Sequence, residues 1–263
     1  MSVIKVGFGP GIDNISPSGG GGSAEVADLS DWDSKPDGTS DGAYGLGPND
    51  RVFRWKSSIS QWVPSELHPY TFTQRGATLG AEAIPTGWTR NLGTNATSSS
   101  DGTVFTIDTS SSVSLQDRIA ITTPPLATSA VYVVGYFWID SITSAGSGVG
   151  ASASIFHDNN SKRRLIGPST TGAAMRFSTS NGSAKVGSSS ETTQATRTWF
   201  EYYAAEPSGN AMIRQAHAPQ VNALVDYNQN SNISGNAFQI GDSSTSVSAA
   251  SHYEDFRVYE LTI

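Results

Sequence analysis

Short apolar segments separated by polar turns run through most of the chain. The most apolar segment, residues 131–139, is rich in β-branched and aromatic side chains, a composition typical of a buried strand. Similar segments are spread evenly from residue 88 onwards, and none of 10 to 15 residues has apolar positions at helical spacing. The pattern predicts an all-β domain in which more than ten strands form two packed antiparallel sheets, a jelly-roll sandwich.

The last segment of the chain, residues 253–263, alternates with period two. On this pattern Phe256 and Val258 share one face of a strand, while Tyr253 and Tyr259 share the other. This arrangement predicts a strand of an antiparallel sandwich with one sheet face inside.

A smaller β element is predicted nearer the start of the chain. Phe53 and Trp55 alternate with polar or small residues, and a second short strand, residues 61–64, follows a polar connection of four residues. The two strands predict a β-hairpin. Because an isolated hairpin is marginally stable in water, we expect it to pack on the main domain or on a neighbouring copy in a homotrimer.

Four segments follow from these patterns. Residues 1–23, punctuated by Gly and Pro, are expected to be a flexible or anchoring arm. Residues 24–67 form the small β-hairpin attachment element, residues 68–80 a linker, and residues 81–263 the β-sandwich.

The composition excludes several classes of protein. A net charge of −7, with 15 % charged residues, provides no clustered basic surface, so nucleic acid is not an expected partner. The chain has no Cys, which excludes disulfides and thiolate metal sites and favours a bacterial or viral origin. No apolar run approaches the roughly 18 residues of a membrane span, and no signal peptide is visible, so membrane insertion is not expected.

The hairpin region carries a motif. A Gly/Asp turn precedes the aromatic strand Asp50-Arg-Val-Phe-Arg-Trp55, and a polar turn then leads to Gln61-Trp-Val-Pro64. This stretch resembles a short element common in tail-fibre and other virion proteins of bacteriophages. The resemblance implies a virion structural protein on the phage tail or capsid surface, commonly a homotrimer, which contacts other virion proteins through residues 1–67.

The remainder of the chain resembles another family. Pro85-Thr-Gly-Trp88, residues 101–107, Thr196-Arg-Thr-Trp-Phe200 and residues 236–242 precede the closing segment 253–259. In this order they resemble the concanavalin A-like (laminin G-like) lectin and glucanase sandwich. The resemblance implies a jelly roll that contacts glycans and often holds a Ca²⁺ in its rim loops.

No catalytic residue is predicted. Glycan-cleaving members of the resembled family carry Glu-x-Asp-x-x-Glu on one strand, and the pattern is absent from this sequence. Glu254 and Asp255 are adjacent and therefore point to opposite faces of a strand, whereas Glu254 and Glu260 are separated by about 20 Å of strand rise. We therefore expect a protein that is not an enzyme.

Carbohydrate binding requires an exposed aromatic ring beside hydrogen-bonding side chains. Trp138 and Trp199 lie within apolar strands, which predicts that both are core residues. Aromatic and amide residues near polar loops are better candidates, namely Tyr202, Tyr227, Asn228 and Asn230.

Oxygen ligands suitable for a structural Ca²⁺ occur at Asp158, Asn159 and Asp242. The alternative interpretation of the first two residues is an ordinary Asx-rich turn. The four His residues are scattered and form no metal-binding spacing.

The sequence thus predicts a non-enzymatic phage virion protein, a tail fibre or receptor-binding protein whose sandwich contacts host-surface glycans. A capsid decoration (cement) protein that displays the same sandwich on the head is an alternative, and so is a bacterial extracellular lectin or adhesin module.

Overall fold

The protein is described by a computed structural model. It covers residues 25–47, 50–91, 97–108, 120–124, 126–127, 130–142, 154–158, 163–168, 175–180, 184–188, 197–204, 210–215, 227–230, 237–241 and 249–263. The strands are β1 (Ala27–Asp28), β2 (Tyr44–Leu46), β3 (Val52–Lys56), β4 (Gln61–Pro64), β5 (Thr71–Gln74), β6 (Thr89–Asn91), β7 (Thr97–Ser100), β8 (Val104–Asp108), β9 (Ala120–Thr122), β10 (Val131–Ile142), β11 (Ser154–Asp158), β12 (Arg163–Pro168), β13 (Met175–Ser180), β14 (Ala184–Ser188), β15 (Thr198–Ala204), β16 (Asn210–Gln215), β17 (Tyr227–Asn230), β18 (Ala237–Gly241) and β19 (Ala249–Thr262). Short 3₁₀ helices occupy Trp32–Ser34, Ser57–Ile59 and Ser65–Leu67.

Two large antiparallel sheets account for most of these strands. One has the order β17-β16-β15-β10-β19-β8-β7, and β5 is its eighth strand, paired with the end of β19. The other has the order β14-β13-β12-β11-β18-β9-β6. The predicted all-β fold of two antiparallel sheets is confirmed. The segment 68–80, predicted to be a linker, supplies β5 to the eight-stranded sheet.

A four-stranded sheet, β1-β2-β3-β4, precedes the sandwich. β3 and β4 pair antiparallel from Phe53↔Pro64 to Lys56↔Gln61, which confirms the predicted hairpin. Its four-residue connection closes with Ser60 in the left-handed region, at φ 49°. We call residues 25–67 the module.

The module packs on the outer face of the eight-stranded sheet. Along β10, Tyr132, Val134 and Tyr136 face the module, whereas Val133 and Phe137 face the inside of the sandwich. The buried cluster comprises Leu29, Trp32, Phe53, Trp55, Trp62, Val63 and Leu67 from the module and Phe72, Tyr132, Val134, Tyr136, Trp199, Tyr203, Tyr259 and Leu261 from the sheet. Because the chain buries its own hairpin, this burial gives no physical reason for a homotrimer.

A buried ion pair crosses the same interface. The Arg51 guanidinium of the module contacts the Glu201 carboxylate on β15, and the Tyr132 hydroxyl donates to the other Glu201 oxygen at 3.0 Å. Arg51 is 8 % exposed and Glu201 is fully buried. At the margin, the Tyr203 hydroxyl donates to Glu66 of the module. These polar contacts fix the register in which the module sits on the sheet.

A β-bulge interrupts the pairing of β10 with β19. Gly135 stands opposite two residues of β19, Asp255 and Phe256, where the register shifts. The backbone has a φ of 150° at Gly135 and 49° at Asp255. Both values lie in the positive region that side chains disfavour, which is typical of a bulge.

The bulge changes which residues of β19 share a face. Tyr253 contacts Phe256, with ring centroids 5.4 Å apart, inside the sandwich. Tyr259 lies on the opposite face against Phe72 and the module. The prediction that Tyr253 and Tyr259 share a face was wrong, because one extra residue moves all later side chains to the other face.

Candidate functional site

A row of partly exposed side chains crosses the outer face of the eight-stranded sheet beside the module. Trp138 on β10 pairs with His252 on β19, which pairs with Thr106 on β8, which pairs with Ser99 on β7. Successive strands lie about 4.8 Å apart, so the row is about 14 Å long. We call this row, together with Arg197 and Glu254 beside it, the open strip.

The aromatic end of the open strip is ordered by contacts between neighbouring strands. The Trp138 and His252 rings are stacked, with centroids 5.0 Å apart and planes inclined by 20°. His252 Nδ1 lies 2.9 Å from the Thr106 hydroxyl, and both residues are half-buried. The row therefore offers a fixed aromatic pair that continues into hydroxyl groups.

The charged end of the strip is built around one guanidinium. Arg197 Nε and Nη2 donate to the two Glu254 oxygens at 2.6 and 2.8 Å. Arg197 Nη1 donates at 3.0 Å to Asp33, which belongs to the module. The guanidinium carbon lies 3.3 Å from the centroid of the Tyr136 ring, and the Tyr136 hydroxyl donates to Asp33. The module thus supplies one of the groups that orient Arg197.

These contacts hold Asp33 in its ionised form. Burial alone would raise the pKa of the Asp33 carboxyl, but hydrogen bonds from Tyr136 and Arg197 outweigh it and lower that pKa. Hydrogen bonds to Glu254 raise the pKa of Arg197, while burial and the Asp33 contact raise the pKa of Tyr136. Asp33 therefore provides carboxylate oxygens that accept hydrogen bonds rather than a carboxylic acid that donates a proton.

The same pairing of carboxylates with guanidinium groups recurs around the eight-stranded sheet. Glu201 contacts Arg51, and Glu260 contacts Arg75. Within the described residues, no group of three or more His, Asp and Glu side chains is arranged to hold a metal ion. No helix in the described part of the chain is long and apolar enough to span a membrane.

The structure places the predicted carbohydrate-binding residues on β15 and β17, two strands of one sheet that are separated by β16. Tyr202 on β15 pairs with Ile213 on β16, which pairs with Tyr227 on β17. Asn228 and Asn230 lie on the same strand as Tyr227, β17, which stands at one end of the strand order of its sheet. The two tyrosines thus share one register row, and their role in binding stays a prediction.

The predicted calcium ligands are described only in part. Asp158 ends β11, where it pairs with Ala237 of β18. Gly241, which precedes Asp242 in the sequence, pairs with Ser154 at the opposite end of β11. Asn159 and Asp242 lie outside the described residues, and their binding of Ca²⁺ stays a prediction.

Sequence reasoning missed the open strip. Trp199 is buried as predicted, but Trp138 is half-buried and lies on the outer face of the sheet. The partial exposure of Trp138 cannot be predicted from the apolar sequence of β10, because residues on both faces of this strand are buried along most of its length. The available signal was the alternation in β8, where the buried Phe105 and Ile107 leave Thr106 on the open face.

No protein-family model matches the sequence, and no curated protein matches it. Among solved structures, the VIP36 exoplasmic/lumenal domain in its Ca²⁺/Man3GlcNAc-bound form is similar, with a TM-score of 0.46, 7 % identity and coverage of 70 % of this chain and 90 % of that one. The carbohydrate recognition domain of Emp47p gives a TM-score of 0.44 at 12 % identity over 73 % and 97 %. A family 16 glycosyl hydrolase protein from Mycobacterium smegmatis gives 0.42 at 10 % identity over 69 % and 95 %.

The fold is an all-β sandwich built on two large antiparallel sheets. With TM-scores of 0.42 to 0.46 and identities of 7 to 12 %, these likenesses assign no function to this chain. Function in this chain must therefore be argued from its own surface.

Acidification is expected to destabilise the protein in two stages. Burial and then the nearby Arg54 and Lys56 lower the pKa of His68 from 6.5, although Asp41 opposes them. Below pH 6.5 the unfolded chain therefore binds more protons than the folded one, and the free energy of unfolding falls as the pH falls. The carboxyls of Asp33 and Asp41 have pKa values below 3.8, so their stabilisation is present above 3.8 and is lost as the pH falls through the folded values.

Urea unfolding at a series of pH values from about 7.5 to about 3 tests this expectation. His68→Gln should remove much of the loss in the first stage, and Asp33→Asn should reduce the loss in the second. A free energy of unfolding that rises as the pH falls from about 7 to 5 would contradict the assigned direction for His68.

Proposed function

We propose that the protein is a non-enzymatic, glycan-binding structural protein of a bacteriophage particle, of the tail-fibre or receptor-binding type. The sandwich contacts host-surface glycans through the open strip, and residues 1–67 contact other virion proteins. The observation that carries this proposal is the Trp138–His252 aromatic pair, continued by the Thr106 and Ser99 hydroxyls along one partly exposed row, with Glu254 beside that row.

The chemistry of the strip supports sugar binding. A pyranose ring presents an apolar face that packs on an aromatic side chain, and its hydroxyls need fixed donors and acceptors around the ring. The strip provides an aromatic surface and polar groups side by side. The contacts of Arg197 with Glu254 and Asp33 hold these carboxylates in position before any ligand binds. Such preorganisation reduces the entropy that binding must overcome.

The same contacts support a role without catalysis. Glycoside hydrolysis needs one carboxyl that is protonated at the working pH and a second carboxylate across the scissile bond. On the strip, Asp33 and Glu254 both accept hydrogen bonds from Arg197, and the pKa of Asp33 is lowered. This pair is suited to accepting hydrogen bonds from sugar hydroxyls.

The virion assignment is supported by the sequence of the hairpin, residues 50–64. Labelling of the protein on its parent particle separates the two phage alternatives. A position at the tail tip fits a receptor-binding protein, and regular positions on the head fit a capsid decoration protein.

Replacement of Trp138 is expected to weaken glycan binding about tenfold or more, since the ring supplies the stacking surface. Binding of Trp138→Ala to an array of host-surface polysaccharides and oligosaccharides measures the loss. Tyr44→Ala is a matched control, because Tyr44 is a half-buried aromatic residue of the module whose ring lies against Arg54 of β3.

Two results would contradict this assignment. If Tyr227→Ala abolishes binding while Trp138→Ala does not, the glycan contacts the β17 edge instead of the strip. If the protein releases reducing sugar from a bound glycan and Glu254→Gln abolishes the release, the protein is an enzyme.

A further inference from the structure

We infer that the open strip selects uncharged glycans and discriminates against those that carry a carboxylate, such as sialylated or uronic-acid-containing chains. The inference rests on the proposed function and specifies its ligand class. Its basis is that the cations beside the strip already donate hydrogen bonds to acceptors of the protein itself.

Arg197 is shared between two acidic partners. Each of its three nitrogens donates to a carboxylate oxygen of Glu254 or Asp33, and the Tyr136 ring covers one face of the guanidinium. Two carboxylates therefore surround one cation, and the formal charge of this group is −1. An incoming carboxylate would therefore approach two carboxylates that share one guanidinium, with Lys35 as a further positive charge near Asp33.

The other cations near this face are also engaged. Lys35 Nζ donates to the backbone oxygen of Trp32 at 3.1 Å and lies 4.8 and 5.1 Å from the Trp32 and Trp199 rings. Arg257 donates to Asp255 and to the Gln61 side chain. In the part of the chain that the structure describes, the cations beside the strip thus already have acceptors.

Neutral hydroxyls meet the opposite situation. Arg197 holds one Asp33 oxygen and both Glu254 oxygens in place, and each Glu254 oxygen has a second lone pair with which to accept a further hydrogen bond. Bonds from a hydroxyl to a charged acceptor are stronger than neutral ones, so neighbouring hydroxyls on an uncharged sugar fit this group. The strip then discriminates between the two classes of glycan because its carboxylates repel an acidic sugar and accept hydrogen bonds from the hydroxyls of a neutral one.

The test compares two matched ligands, N-acetyllactosamine and its sialylated form, and a second pair, galactan and galacturonan oligosaccharides. The unmodified protein is expected to bind the neutral member of a pair roughly tenfold more tightly or better, since like charges placed together are costly. Titration by calorimetry or interferometry at low and at moderate salt gives both affinities.

Two variants test the origin of the selectivity. Glu254→Gln changes the formal charge of the group from −1 to 0 and releases part of the Arg197 charge, so the preference for the neutral ligand should shrink several-fold. Asp33→Asn, at the exposed rim, should act in the same direction. Glu25→Gln is the matched control, because it makes the same change in net charge at an exposed residue outside the strip, and it should leave the preference unchanged.

The outcomes separate this inference from the proposed function. Equal or tighter binding of the acidic member by the unmodified protein overturns the selectivity and leaves glycan binding intact. A neutral preference that neither Glu254→Gln nor Asp33→Asn reduces also overturns the inference. Failure of the folded protein to bind any probe overturns both.

Discussion

Glu201→Ala is expected to destabilise the protein by about 3–5 kcal/mol, because it leaves the Arg51 charge buried without a counter-ion. Arg51 Nη1 contacts Glu201, while its Nε and Nη2 atoms are buried without hydrogen-bond partners among the described residues. The same substitution removes the acceptor of the Tyr132 hydroxyl, which is itself fully buried. Urea unfolding of the two proteins measures the difference.

A double variant distinguishes an unpaired charge from lost packing. Replacing both partners by apolar residues, as in Arg51→Met with Glu201→Leu, removes the charge altogether and should cost much less than Glu201→Ala alone. Glu25→Ala, an exposed carboxylate in the module, is the surface control and should change the stability by no more than about 0.5 kcal/mol. A Glu201→Ala effect as small as this control would contradict the role of the ion pair.

The ion pair also bears on how the molecule unfolds. Arg51 and Glu201 are 150 residues apart in the sequence, and the aromatic cluster around them joins the module to the eight-stranded sheet. Because both parts share one buried interface, they should unfold together. This coupling matters for the open strip, since Asp33 of the module helps to orient Arg197.

The hairpin and the all-β sandwich were predictable because they depend on local patterns. Phe53 and Trp55 alternate with residues of the other face, and the four-residue connection determines the pairing of Trp55 with Trp62. The partner of the hairpin was not predictable, since nothing local distinguishes burial against Tyr132 and Trp199 from burial against another chain.

The open strip was harder to predict for a related reason. Trp138 and His252 are 114 positions apart in the sequence, and only the register of β10 with β19 makes them neighbours. That register depends on the bulge at Asp255, a residue with no sequence signal for a positive φ beyond its being an Asp. Site reasoning from local clusters therefore favoured Tyr227 and its neighbouring amides.

Gly135→Ala is expected to destabilise the protein by about 3–5 kcal/mol, combining backbone strain with overpacking. The φ of Gly135 is 150°, a conformation that an L side chain rarely adopts. A Cβ at this position would lie 2.5 Å from the Phe256 Cα and 2.9 Å from the Asp255 backbone oxygen. Backbone atoms cannot rotate away as a flexible side chain does, so β19 would have to move from β10.

Gly102→Ala is the control that separates the two contributions. Gly102 also has a positive φ, of 98°, but a Cβ there would have no atom within 4 Å. Gly102→Ala should therefore lower the free energy of unfolding only by the contribution of backbone strain, roughly 1–2 kcal/mol. Urea unfolding of both variants measures the difference, and near-ultraviolet circular dichroism should report disturbed packing of Tyr253 and Phe256 in Gly135→Ala alone.

Equal destabilisation by the two substitutions would mean that the close approach of β10 and β19 at the bulge contributes nothing. In that case the bulge would tolerate a side chain, and the register that brings Trp138 beside His252 would need another cause.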